Sequence, residues 1–327
     1  VGVRSLLAGA LLPFFLACNG SLDAGSDRPR ETLPVGTENP VILSNDGPYD
    51  NWQGEYAVLL AHANGPSLAG IVVGTGGLWS DLEANFAGWQ ELVTSARESG
   101  LPNVPDPIRS ASAPLVRPDD GDIDSTTPND SDGARFIVET SARLVQPGRP
   151  VVVATGGRLT DVADAYLIDP SVTERVVVVA SLGTGFSDDE NVAHMGVPNG
   201  EMDVWADAIV VQRFRYVQVS AYYDQLTDVP VERIADLPGN PLGARIAAKQ
   251  PEIFEIPVAA DQVSVIALGV PEFTRGVVRV SPSGSNTEDQ PTLVPDPNGE
   301  GWLVTASNGE SATERFWELL LDRTATY

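Results

Sequence analysis

The sequence predicts an α/β fold: an open, mostly parallel sheet with helices on both faces. Three observations carry that expectation. Short β-branched runs alternate with longer stretches whose apolar residues recur at helical spacing, which is the order of βαβ units. Two runs, "VVVA" at Val151–Ala154 and "VVVVAS" at Val176–Ser181, are continuously apolar, as strands buried on both faces are. Polar or glycine-rich turns follow the apolar runs, where loops lead from strand ends into helices.

The first segment to read in order is "VGVRSLLAGALLPFFLACNG". It carries one positive charge at Arg4, then an apolar run from Leu6 to Ala17. That run is shorter than the ~20 residues a membrane-spanning helix needs and suits the apolar region of an export signal. It ends in Leu16-Ala17-Cys18, where small residues before a cysteine resemble a bacterial lipoprotein box. Phe15 stands at the first box position in place of the usual Leu. This reading makes residues 1–18 a signal with Cys18 as the lipidation site, on an exported protein anchored to the envelope membrane. The alternative is an ordinary secretory signal with an incidental cysteine. Cys18 is the only cysteine, so no internal disulfide can form. Residues 19–39 are polar, without periodicity, and read as a flexible tether. Residues 40–327 form the expected folded domain.

Within that domain the pattern predicts a strand over Val41–Leu43, a helix over Tyr56–His62, a strand over Ala69–Val73 and a helix over Leu82–Ser99 stopped by Gly100. The chain then turns irregular, and "RPDDGDIDSTTPNDSDG" reads as acidic and structureless, a loop either functional or disordered. Ala134–Leu144 reads as a helix, Pro150–Ala154 as a strand, Asp161–Ile168 as a helix and Arg175–Ser181 as a strand.

Charge bounds the partners. With 45 acidic against 20 basic residues the formal charge is −25. Such a surface repels phosphate backbones, which argues against nucleic acid as a partner. No nucleophile elbow, phosphate loop, dinucleotide fingerprint or HExxH motif is present.

The loop "SNDGPYDNWQGE" after the first strand carries Asp46, Asp50, Asn51 and Glu55. Hard cations take six to eight oxygen ligands, and this loop could supply two or three. Read alone, it favours a helix cap over a metal site, with Asp50 or Asn51 capping and Glu55 in the first turn. "TGGRLTD" from Thr155 allows close backbone approach to a ligand, or is only a turn. "NGEMDVWADA" places Glu201 and Asp203 beside Trp205, suited to vicinal hydroxyls or to a solvated helix entry. His194, in the loop before Glu201, is the better placed of the two histidines.

Together and in order, these segments resemble the nucleoside hydrolase family. "ILSNDGPYDNWQGEYAVLLAH" stands at its acidic DxDxGxDD block, and "LAGIVVGTGG" at its next strand. "VVVATGGRLTDVADAYLIDP" matches the TGxLTNxA turn with Arg158 as an extra residue. "GEMDVWADAIVV" matches its AEFNxxxDPxAA block, and "LPGNPLGARIAAKQPEIF" with "TRGVVRV" matches its last two.

The resemblance implies cleavage of N-glycosidic bonds of ribonucleosides or related ribosides with bound Ca²⁺. It places Asp46, Asn51 or Glu55, the Thr155 carbonyl and Asn240 at the metal. Asp46 and Asp50 would orient the water, while Asp50, Glu201, Asp203 and His194 would meet the substrate. It also implies a homo-oligomer, though no interface is legible. The departures run in one direction. Ser44 replaces the first Asp of the block, and Gly239-Asn240 replace a His-Asp pair. Gly77 replaces an Asn of the ribose site. Removing carboxylates weakens a divalent-cation site and its hold on a bound water. Two functions therefore stand open: an exported N-glycosyl hydrolase, or a catalytically impaired member that binds a sugar-containing ligand or a protein partner.

Overall fold

The computed structural model describes residues 31–47, 65–76, 79–181, 183–186, 198–219, 235–253, 263–283 and 291–311, with 314–315 and 318. They belong to one compact unit beginning at Glu31. The ordered chain thus starts before Pro40. Val35 joins the core and Asn39 is buried, donating its side-chain amide to the carbonyl of Pro150 at 2.8 Å. Residues 31–39, expected as tether, pack onto the domain. The predicted helix over Tyr56–His62 and the lipidation site Cys18 lie outside the described residues.

A ten-stranded sheet organises the unit, in the order β3-β2-β1-β4-β5-β7-β10-β8-β9-β6. The strands that build the site are β1 (Pro40–Asn45), β2 (Ser67–Val73), β3 (Pro107–Arg109), β4 (Val151–Thr155) and β5 (Val176–Ser181). They are all parallel, and β7 (Arg215–Val219) and β10 (Gly301–Ser307) continue the parallel sheet. The far side is mixed: β8 (Thr274–Ser283) runs antiparallel to β10 and to β9 (Thr292–Pro295), which carries β6 (Gly185–Phe186).

The valine runs explain the layering. Successive side chains of a strand point to opposite faces. Val152, Ala154, Val177 and Val179 enter one core with Trp89 and Leu92 of α1 (Leu82–Glu98). Leu242 of α7 (Pro241–Ile253) and Ile266 of α8 (Val263–Gly269) complete that layer. Val151, Val153, Val176 and Val178 enter the other. There they meet Ile137 of α2 (Asp132–Leu144), Val162 of α3 (Thr160–Ile168) and Ile209 of α6 (Val204–Arg213). Two short helices, α4 (Val172–Arg175) and α5 (Pro198–Glu201), lie between these elements in the chain. Helices on both faces are therefore what the alternation of buried valines demands.

Helix ends follow local chemistry. The Asp81 carboxylate accepts from the amides of Glu83 and Ala84 and so starts α1, and Ser131 does the same for Ala134 of α2. Gly100, at φ 98°, takes the left-handed turn that ends α1.

The acidic segment read as structureless is ordered. Asp120 accepts from the amide of Asp122, and Asp122 from that of Asp124, each turning the backbone locally. A 3₁₀ turn at Ile123–Ser125 buries Ile123. Trp205 then donates to Thr126, and Tyr166 donates to Asp124. The composition looked disordered because its aspartates were counted as charges rather than as caps for the backbone.

Candidate functional site

The chain runs β1, β2, β3 outward on one side, then returns to place β4 on the other side of β1. That reversal opens a crevice at the carboxyl ends of β1 and β4, where ligands bind in sheets of this kind. Parallel register brings the strand ends together. Gly74 donates to the carbonyl of Asn45 at 2.7 Å, Ser110 to that of Val73 at 2.8 Å, and Gly156 to that of Ser44 at 3.0 Å.

Asp46 directly follows β1 and is only 4% exposed. Its amide donates to Asn45 Oδ1 at 2.7 Å, and its Oδ1 accepts from the amide of Gly47 at 2.8 Å. Trp89 Nε1 donates to its carbonyl at 2.8 Å. Two glycine turns close on it. A Cβ on Gly76 would fall 1.6 Å from Asp46 Oδ2, and one on Gly157 would fall 3.1 Å from its amide nitrogen. Glycine is required at position 76 because the carboxylate occupies the place of a side chain.

Beside Asp46 lies a cavity lined by Ser44, Asn45, Gly74, Thr75, Ser110, Ala111, Arg158, Thr160 and Asp161. The cavity holds about 10 Å³, the room of one water. Donors dominate its walls. Asn45 Nδ2, Thr75 Oγ1 and the Nε and Nη1 of Arg158 are buried without a hydrogen-bond partner. Thr155 Oγ1, at the end of β4, is likewise buried and unsatisfied.

Asp161 supplies the cavity's carboxyl group and is 2% exposed. Burial, with the nearby charge of Asp164, pushes it up to about 6, against the hydrogen bonds from Ser110, Ser131 and the Ala111 amide. Asp164 itself accepts from the amides of Asp130 and Ser131 and from the Ser131 hydroxyl. Asp130, at φ 59°, turns the chain there.

Of the residues expected at the site, Asp46 and Thr155 end the adjacent strands β1 and β4, paired through Ser44 and Thr155. Asp203 has a different setting. Its carboxylate accepts from Thr160 Oγ1 at 2.7 Å, Leu115 N at 2.9 Å and Ala206 N at 3.0 Å, capping α6 and tying three segments together. Burial raises its pKa, opposed by those bonds and by the Arg158 charge. Glu201 is exposed at the end of α5. Asn240 turns its Oδ1 to the amide of Gly243 at the start of α7. Asp50, Asn51, Glu55, His194 and Gly77 lie outside the described residues.

Among the described residues no group of three or more His, Cys, Asp or Glu side chains could hold a metal ion. The donor chemistry agrees. Ser44 and Asn45 flank Asp46 where further carboxylates would serve a hard cation, and the Arg158 guanidinium lines the same cavity. The described set does not fit a divalent metal. Sequence reasoning missed Asn45, Thr75, Ser110, Arg158 and Asp161. The one legible signal was an arginine inserted into a glycine turn between strand and helix.

No protein-family model and no curated protein matches the sequence. Solved structures do. The inosine-uridine preferring nucleoside hydrolase from Bacillus anthracis superimposes with a TM-score of 0.61 at 13% identity, covering 86% of this chain and 99% of that one. The chain has the nucleoside hydrolase fold. The purine-preferring ribonucleoside hydrolase from Gardnerella vaginalis is similar at a TM-score of 0.59 and 14% identity, covering 85% and 99%. The effector protein XOO4466 reaches a TM-score of 0.56 at 13% identity, covering 90% and 96%. At these identities the likeness is one of architecture, and this nucleoside hydrolase-like chain must be read from its own side chains.

Proposed function

We propose that this protein binds a hydroxyl-rich, sugar-containing small molecule at the β1/β4 crevice, without metal-assisted hydrolysis. One observation carries the reading. The crevice of a nucleoside hydrolase fold is here walled by unsatisfied hydrogen-bond donors, including the buried Nε and Nη1 of Arg158. Unpaired buried donors favour acceptor-rich ligands, and a guanidinium disfavours a divalent cation in the same space. Nucleosides and ribosides are the first ligands to test, because inosine, uridine and purine ribonucleosides are named for the structures the fold matches.

A second reading, an N-glycosyl hydrolase using Ca²⁺, is supported by Asp46, whose buried carboxylate ends β1 between two glycine turns. Calorimetry and melting of the full chain with a nucleoside panel, with and without calcium, separate the two. The binding reading expects ligand-dependent stabilisation, no release of free base and no calcium dependence. Calcium-dependent base release that is lost in Asp46→Ala would replace it with the hydrolase.

The setting we propose is the exported face of a membrane, with Cys18 as lipid anchor. The short apolar run before Cys18 supports this. Among the described residues no helix is long and apolar enough to cross a membrane. Mass measurement of the mature N-terminus checks it, and an unmodified chain retaining residues 1–17 would refute it.

A further inference from the structure

We infer that Arg158 makes the crevice an oxyanion pocket, suited to a polyhydroxylated ligand that carries a carboxylate or phosphate group. The inference deepens the ligand-binding reading and rests on it.

The guanidinium is the first reason. Its Nε and Nη1 are buried, with neither a hydrogen-bond partner nor an ion pair, in a chain holding 45 acidic residues. Among the described residues no carboxylate hydrogen-bonds to this cation, although its charge reaches the buried Asp203. Leaving buried donors of a charged group unsatisfied costs stability, and such groups gain their partner when a ligand arrives. Arginine also matches the planar fork of a carboxylate or phosphate.

The second reason is the company Arg158 keeps. Asn45 Nδ2 and Thr75 Oγ1 line the same cavity, both unsatisfied, and each residue is only 2% exposed. They come from the ends of different strands, so the convergence is a property of the fold. The third reason is α3, whose first residues, Thr160 and Asp161, line the cavity too. No side chain caps that nine-residue helix at Leu159, and its N-terminal dipole favours negative charge.

Asp161 limits the ligand class. Its carboxyl group shares the cavity, so a bare anion meets a like charge, whereas a ligand with hydroxyls can donate to it. The cavity, about 10 Å³ in all, admits one ligand oxygen, so the rest of the ligand lies outside it. A sugar acid or sugar phosphate satisfies both demands when one oxyanion oxygen enters toward Arg158 and the sugar stays at the opening, where a hydroxyl can turn toward Asp161.

The test uses the full chain and four probes: D-ribose, D-ribose 5-phosphate, D-ribonate and inorganic phosphate. Affinities come from calorimetry and from the concentration dependence of Tm. At least one anionic sugar is expected to bind tenfold or more tighter than ribose and than inorganic phosphate, and comparison of the two anionic sugars tells phosphate from carboxylate. Arg158→Gln should weaken the anionic sugar by about 10- to 100-fold and ribose by a much smaller factor, because only the anion loses its charged partner. The Tm of the unliganded chain should fall only slightly, because no hydrogen bond is lost and only the charge felt by Asp203 goes. Asn45→Asp, which keeps the acceptor to the Asp46 amide and removes the Nδ2 donor, should weaken the same probe. Equal binding of ribose and the anionic sugars, or an anionic affinity untouched by Arg158→Gln, would overturn the oxyanion pocket and leave the sugar-binding reading standing. Absence of binding by all four probes and by the nucleoside panel would overturn both.

Discussion

Asp46 and Gly76 share one volume: a Cβ on the glycine would fall 1.6 Å from the carboxylate Oδ2. The acid therefore keeps its position only while residue 76 has no side chain, and the turn after β2 becomes part of the site.

Gly76→Ala should push the Asp46 carboxylate aside or shift the turn, at a cost of roughly 1–3 kcal/mol. Gly239→Ala is the matched control, since a Cβ there meets nothing within 4 Å. Denaturant melts should show a loss for the first and a change within about 0.5 kcal/mol for the second. Equal behaviour of the two would mean the close packing around Asp46 is not required.

Trp89 holds the same strand end from beneath. Its indole is fully buried and donates to the Asp46 carbonyl. Trp89→Phe keeps an aromatic ring but removes the indole donor to that carbonyl, which should cost about 1 kcal/mol for the lost hydrogen bond. The larger readout is ligand affinity, which should fall as β1 loses its fixed end. A stable variant with unchanged affinity would show that the bond supports only the core.

Asp203 and Glu201 are neighbours in the chain and should behave as opposites. Asp203→Asn has one acceptor oxygen where Asp203 uses two, so its NH2 must face either the Ala206 amide or the Leu115 amide and Thr160 hydroxyl, and a loss of roughly 2–3 kcal/mol is expected. Glu201→Gln, on an exposed side chain, should stay within about 0.5 kcal/mol. Thermal melts of the two variants check the contrast.

Asp161 makes the fold sensitive to pH in a direction opposite to most carboxylates. Its folded pKa is about 6 against 3.8 for the free group, so the folded state holds its proton more tightly. Stability tied to this residue therefore rises as pH falls from above 6 toward 4, and is lost as pH rises through 6, by up to roughly 3 kcal/mol. Asp169, held below the usual range by Ser171 and Arg175, works the other way. The difference in Tm between the wild type and Asp161→Asn from pH 4 to 7 isolates the contribution. A flat difference would contradict it.

The layers of the sheet were legible because they are written in local pattern. Val151–Thr155 and Val176–Ser181 read as doubly buried strands, and α1 to α3 began and ended within a residue or two of the expected places. The acidic segment misled, since an aspartate that caps a backbone amide and one that faces water look alike in composition. Asp203 misled similarly: two acids beside a tryptophan suggested hydroxyl binding, whereas the fold surrounds one of them with three of its own donors.

By itself the sequence determined the α/β class, the described strands and helices up to Ser181 except β3 and the short α4, and two of the turns that border the crevice. Periodicity and propensity act between near neighbours, so a single chain displays them. Only the tertiary structure decided which side chains share the crevice. Asn45, Thr75, Ser110 and Arg158 each follow a different strand, and parallel register with a reversal beside β1 sets those four strand ends around one cavity. That meeting depends on long-range pairing, and it turned an arginine that looked like an insertion into the one cation among the described residues of the cavity.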